Sequence, residues 1–186
     1  PFAKIHSVTL DGVLNLEAAK ISNVSIWAEE LSAINGDSRY NAGSLKTFLS
    51  ELSLNGNLAE QLSSGTFTIE DIKASEPNFT VPTAIVESLV TDTVKDLKIN
   101  LHDVRLSEFD GYIQHLIVDG SFTQSNVLQE LQIVSADGFF SKKLPKFQEI
   151  SARVKRSGRE QYQVGIEGNT KEFEMSDSEN FIGLLP

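Results

Sequence analysis

Cysteine is absent from the 186 residues. Disulfides, thiol nucleophiles and zinc–thiolate centres are therefore excluded, and so is a small secreted disulfide scaffold. An envelope compartment or the cytoplasm both remain compatible. Methionine and tryptophan occur once each, histidine three times and proline five times. No apolar run approaches the roughly 20 residues a membrane-spanning helix needs, and no signal peptide is legible at the start. Positive charge is also scarce, with 16 bases against 26 acids and a net charge of −10. Such a field repels phosphate backbones and anionic headgroups, so nucleic-acid binding and electrostatic docking to a membrane are disfavoured. The one basic neighbourhood, Lys142-Lys143 and Arg153 to Arg159, reads as a solvated strand-and-turn surface.

Catalytic signatures are missing as well. His6, His102 and His115 form no HExxH or HxH grouping, and there is no GxSxG elbow, GxxxxGK[ST] loop or GxGxxG turn. Glu29-Glu30 and Glu70-Asp71 are adjacent acids, but neighbours in a strand face opposite sides and cannot jointly flank one bond. The expectation is a chain that is not an enzyme and has no cofactor and no metal site.

What is present is a rhythm. Ile113 to Phe122, IQHLIVDGSF, reads apolar, two residues, apolar, one residue, apolar, one residue, Gly, one residue, apolar. Ile5 to Leu14 and Leu49 to Leu58 repeat it, Val94 to Leu101 matches without the glycine, and Leu128 to Ile133 begins alike. Period-two alternation of this kind marks strands with one buried face and one wet face. Strands are expected over 5–16, 21–31, 65–72, 78–81, 97–106, 113–122, 131–140, 147–154 and 162–166. Val104-Arg-Leu106 resumes the alternation one step out of phase with Leu97 to Leu101, so a bulge near His102-Asp103 would keep both halves facing the same way. Asx-Gly pairs at Asp11-Gly12, Asn35-Gly36, Asn55-Gly56, Asp110-Gly111, Asp119-Gly120 and Asp137-Gly138 read as type I′ turns or bulges. They are too dispersed for a calcium loop.

Two stretches break the period. Ser44 could cap a short helix carrying Leu45, Phe48, Leu49 and Leu52, and a second helix is expected between Pro82 and Val94, on Ile85, Val86, Leu89 and Val90. From Glu174 the chain is acidic and aperiodic, and reads as a loosely held tail. The fold class is thus mainly β: one antiparallel, curved or elongated sheet (groove, sandwich or solenoid-like) with one or two short helices. It reads as a single β-rich domain over 1–186, part of a longer chain.

Phe67, Phe79, Phe109, Phe122, Phe139 and Phe140 recur in or beside the strands. Phenylalanine has no hydroxyl to satisfy, so it suits a closed core or an open apolar face equally. Segments such as VTLDGVLNLEAAKISNVSIWAEEL and IQHLIVDGSF resemble the repetitive β-rich regions of AsmA-like proteins of the bacterial envelope. The resemblance lies in strand rhythm and glycine placement over about two thirds of the chain. It implies a taco-like or groove-like sheet, apolar inside and polar outside, that carries phospholipid between membranes. It also implies a periplasmic segment, anchored to the inner membrane by residues outside these 186. On that resemblance the acyl-chain ligand would lie against the inward residues Val8, Leu10, Leu97, Ile99, Leu101, Leu116, Val118 and Phe122, with other envelope proteins as further partners. The alternative is a structural or adhesion β-module that binds protein or glycan through its loops.

Overall fold

A computed structural model describes residues 2–75, 78–91, 93–141, 146–158 and 161–170. Ten strands follow one another: β1 (Phe2–Asn15), β2 (Lys20–Asn35), β3 (Ser38–Ser53), β4 (Gly65–Ser75), β5 (Asn78–Val90), β6 (Val94–Leu106), β7 (Gly111–Thr123), β8 (Leu128–Phe139), β9 (Phe147–Arg156) and β10 (Tyr162–Thr170). They form one sheet in which spatial order equals chain order, with each strand antiparallel to the next. This is an open meander, and β1 and β10 have a partner on one side only among the described residues. The acidic tail from Glu174 lies outside the described residues.

Both expected helices are strands. Ser44 to Leu52 belongs to β3, and Pro82 to Val90 belongs to β5. In β5 the apolar residues occupy both faces: Val86 pairs with Ile99, while Ile85 pairs with Asn100 on the opposite face. The sum mimics helical spacing, but the stretch is rich in Val, Ile and Thr, which fit a pleated surface better than a helix. The one short helix, α1 (Leu58–Gln61), lies in the β3–β4 connection. Gln61 ties it to the end of β3, where its side chain accepts from the Ser53 N–H at 2.6 Å and donates to the Ser53 carbonyl at 3.0 Å.

The Asx-Gly pairs divide. Asn35-Gly36, Asn55-Gly56 and Asp110-Gly111 lie at connections, whereas Asp11-Gly12, Asp119-Gly120 and Asp137-Gly138 lie inside strands. In the β2–β3 hairpin Asn35 pairs with Ser38, so the two loop residues are Gly36 and Asp37. Gly36 at φ 63° therefore fills the first central position, the requirement of a type II′ turn rather than type I′.

A single row organises the sheet. Glu30, Asp71, Asp103 and Asp137 have φ of 50°, 55°, 57° and 50°, in the left-handed region that L-residues other than Asn and Asp seldom adopt. They sit on β2, β4, β6 and β8. By register they align with His6, Gly43, Pro82, Gln114 and Gln148 on the odd strands, in one line across the sheet. Pairing is interrupted at this row in each pair from β1–β2 to β8–β9 and resumes beyond it in unchanged register, as His102↔His115 and Val104↔Ile113 do around Asp103 and Gln114; in β9–β10 the register shifts by one residue there. The expected bulge at His102-Asp103 is thus a kink without an inserted residue. The interrupted pairing also accommodates Pro82, which has no N–H to give to the ladder.

At this row the side-chain phase reverses. Leu101 and Val104, three residues apart, both pack in the cluster of Val81, Val104, Ile113 and Phe147, and so do Leu116 and Ile113. Residues from both sides of the row thus share one face. A flat single layer would leave both faces wet, yet Val24, Val81 and Phe147 are 0%, 1% and 2% exposed. The sheet is therefore folded along the row, with the flanks turned toward each other over the apolar face. Each fully buried valine contributes roughly 1.5–3 kcal/mol, which offsets the strain of about 1–2 kcal/mol at a left-handed residue.

Candidate functional site

The inner face is built from two apolar rows that flank the fold line. On the loop side lie Ile5, Leu31, Ala42, Ile72, Val81, Val104, Ile113, Gly138 and Phe147; on the other side lie Val8, Ala28, Leu45, Ile69, Ala84, Leu101, Leu116, Ser135 and Ile150. No charged side chain occupies either row. Ser135 is the polar exception, and among the described residues no buried side-chain polar atom lacks a hydrogen-bond partner. Gly138 is required where it stands. A Cβ there would lie 2.5 Å from the Tyr112 carbonyl oxygen and 2.9 Å from the Phe147 ring, which covers the gap.

The residues expected to face the ligand share this face but fall in two groups. Leu101 pairs with Leu116 and Ile99 with Val118, and Leu97 lies beside them opposite Gly120. Phe122 is one alternation further along β7, and its ring approaches Gly120 so closely that a Cβ there would be 3.0 Å away. Val8 and Leu10 lie on edge strand β1, opposite Ala28 and Ile26. Four strands, β2 to β5, separate them from the β6–β7 group.

The two ends of the face differ in how they are filled. Toward β5–β9 large side chains meet: Leu101, Leu106, Leu116, Phe79 and Ile150 close around Val81, Val104, Ile113 and Phe147. Toward β1–β4 the row of Phe79 and Leu106 carries Ala3, Ala33, Tyr40 and Ala74, and an apolar hollow of about 300 Å³ opens between Ala3, Ala33, Ala42, Ile5, Leu31, Ile69 and Ile72, with Tyr40 at its side. At the edge the face is open, with Ile5 50% and Val8 61% exposed. Reading alternation alone missed this asymmetry, although the run of alanines in β1–β3 signalled it.

The outer face carries the polar chemistry. Glu70 accepts from Ser44 Oγ at 2.8 Å and from Lys46 Nζ at 3.0 Å, and Lys46 also lies 5.2 Å from the Trp27 ring centroid. The Lys46 hydrogen bond, then that of Ser44, holds the Glu70 carboxyl below the usual carboxylate range. Tyr112 donates its hydroxyl to Asp103 Oδ1, and that hydrogen bond raises the phenol above its ordinary value. His102 and His115 stack edge-to-face at 4.7 Å, and His6 lies 3.8 Å from Glu30. A second hollow, of about 380 Å³, lies over the fold line between Lys4, His6, Glu30, Asp71 and Lys73. Among the described residues no three His, Asp or Glu side chains converge as a metal set, and no helix is long and apolar enough to cross a membrane.

What the fold and the face define is a class of architecture: a single-layer antiparallel meander, creased along one row, with an apolar inside. Compared with known proteins, the chain matches no family model, no curated protein and no solved structure.

Proposed function

We propose that the chain is a non-enzymatic lipid-binding segment that holds acyl chains against its creased apolar face, as part of a lipid-transport protein of the bacterial envelope. The observation that carries the reading is the inner face itself, uncharged across the two rows beside the crease and open to solvent along β1. Apolar surface left accessible on a folded chain marks a binding surface more often than chance. Covering it with hydrocarbon recovers about 25 cal/mol per Å² without any specific polar contact. The strand rhythm that resembles AsmA-like proteins points the same way, and with it to a periplasmic setting, phospholipid as the ligand and envelope proteins as partners. The test is mass spectrometry of an organic extract of the purified protein, beside a cytosolic protein purified in parallel. Enriched phospholipid or fatty acid supports the reading, and an extract no richer than the control's contradicts it.

A further inference from the structure

We infer that the acyl-chain site lies at the β1–β4 end of the inner face, in the hollow walled by Ala3, Ala33 and Ala42, and that it takes one unbranched hydrocarbon chain. This inference rests on the function proposed above and assigns the place and capacity of the site.

Three observations locate it. The first is the distribution of side-chain size. Around Val104 and Ile113 the two flanks pack through Leu101, Leu106 and Leu116. The row that carries Phe79 and Leu106 there carries Ala3, Ala33 and Ala74 with Tyr40 at β1–β4, and a hollow of about 300 Å³ opens beside it. Ile69 and Ile72 both line it from opposite sides of Asp71, so the crease itself closes the hollow at its base. The second is the chemistry of the walls. Lys4, Ser32 and Asn41 border the hollow, but they pair with one another at the outward phase of β1, β2 and β3. The inward side chains are Ala3, Ile5, Leu31, Ala33, Ala42 and the two isoleucines, with the Tyr40 ring beside them. Leu31 to Ile34 of β2 are paired on both sides, whereas the pairing of β3 with β4 skips Ala42 and Gly43 at the crease. A peptide or sugar placed there would find few partners for its donors and acceptors, at about 1–3 kcal/mol for each left unpaired. An open apolar surface of this kind favours an apolar guest, whose burial recovers about 25 cal/mol per Å². The third is volume. At roughly 30 Å³ for a group the size of a water or a methylene, the hollow has space for on the order of ten such groups.

The test uses dansyl-undecanoic acid, titrated into the whole chain and followed by dansyl fluorescence. Ala33→Leu and Ala42→Phe fill the hollow without touching the closed end, and each should raise the Kd by about tenfold or more. Leu106→Met, a volume-conserving change at the closed end, should leave it within about twofold. Circular dichroism identifies any variant that fails to fold, and Ala33→Leu, the smaller change, then carries the comparison. If the wild type does not bind the probe, the proposed function itself fails. If the wild type binds and Ala33→Leu binds equally well, or Leu106→Met abolishes binding, the function stands and this site is wrong. If filling the hollow instead abolishes a concentration-dependent dimer seen by light scattering, the occupant is a second copy of the chain and the acyl-chain assignment is overturned.

Discussion

Leu101 and Val104 are three residues apart on β6 and yet lie in one apolar cluster, because Asp103 between them holds φ at 57°. The same relationship recurs on β2, β4 and β8, through Glu30, Asp71 and Asp137. Local backbone conformation on alternate strands thus creases the whole sheet and turns its apolar rows inward.

The crease can be tested through the backbone alone. Asp103→Gly and Asp103→Val both lose the hydrogen bond to Tyr112, so the difference between them isolates the left-handed conformation. The valine variant should be less stable than the glycine variant by about 1–2 kcal/mol in urea unfolding, since a β-branched residue pays the full cost of positive φ. Equal stabilities would mean that the kink is not held at Asp103.

Gly138 and Gly165 make a contrasting pair. A Cβ on Gly138 would press on the Tyr112 carbonyl and the Phe147 ring, whereas one on Gly165 would meet nothing within 4 Å. Gly138→Ala should cost about 1–3 kcal/mol through overpacking, and Gly165→Ala should change stability by less than about 0.5 kcal/mol. Phe147→Ala should cost about 3–5 kcal/mol, as expected for emptying a ring-sized volume beside Gly138. Urea midpoints check all three.

Alternation in the sequence located most strands, because one apolar and one polar face leave a period-two trace in residues such as Leu97, Ile99 and Leu101. The phase slip at His102-Asp103 was visible too, though as a bulge. At Leu45 to Leu52 and at Ile85 to Val90 apolar residues on both faces of one strand read as helix. The reason is physical: a strand apolar on both faces has neighbours at i, i+3 and i+4, the spacing of a helix face. A repeated signature does mark the crease, in Ala28-Glu-Glu-Leu-Ser-Ala33, Ile69-Glu-Asp-Ile-Lys-Ala74 and Leu101-His-Asp-Val-Arg-Leu106: apolar, polar, acid, apolar, polar, apolar. Its meaning needs the register between strands, which no single strand contains. The inward position of the eight expected ligand-facing residues followed from alternation, but the hollow between β1 and β4 depends on which flanks meet across the crease.

Glu70 gives a pH dependence of defined sign. Its folded pKa is lowered by Lys46 and Ser44, so the stability it contributes is present above the ordinary Glu value and is lost as pH falls through the lower folded value. A carbon-13 NMR titration should show Glu70 titrating below the ordinary Glu value. Lys46→Met should return it toward that value, and a Glu70 that titrates alike in both proteins would refute the pairing.

Tyr112 carries the opposite signature. Its hydroxyl donates to Asp103, so the neutral phenol is favoured and its ionisation is displaced upward. Any stability from this bond is present below the ordinary tyrosine pKa and is lost as pH rises through the raised value. Ultraviolet titration should place the Tyr112 ionisation above the ordinary tyrosine value, and Asp103→Asn should bring it back. A Tyr112 ionisation that does not change in Asp103→Asn would contradict this contact.

The most direct test of the central claim is a cysteine scan along β4, which the absence of native cysteine makes clean. Single cysteines at Thr66, Phe67, Thr68, Ile69, Ile72, Lys73 and Ala74 are labelled with bimane, and quenching by a dibrominated fatty acid is measured. A creased sheet that holds acyl chains inside predicts quenching at 67, 69, 72 and 74 and little at 66, 68 and 73, with the period slipping by one residue across Asp71. Quenching that is absent, uniform, or in unbroken alternation through Asp71 would contradict it.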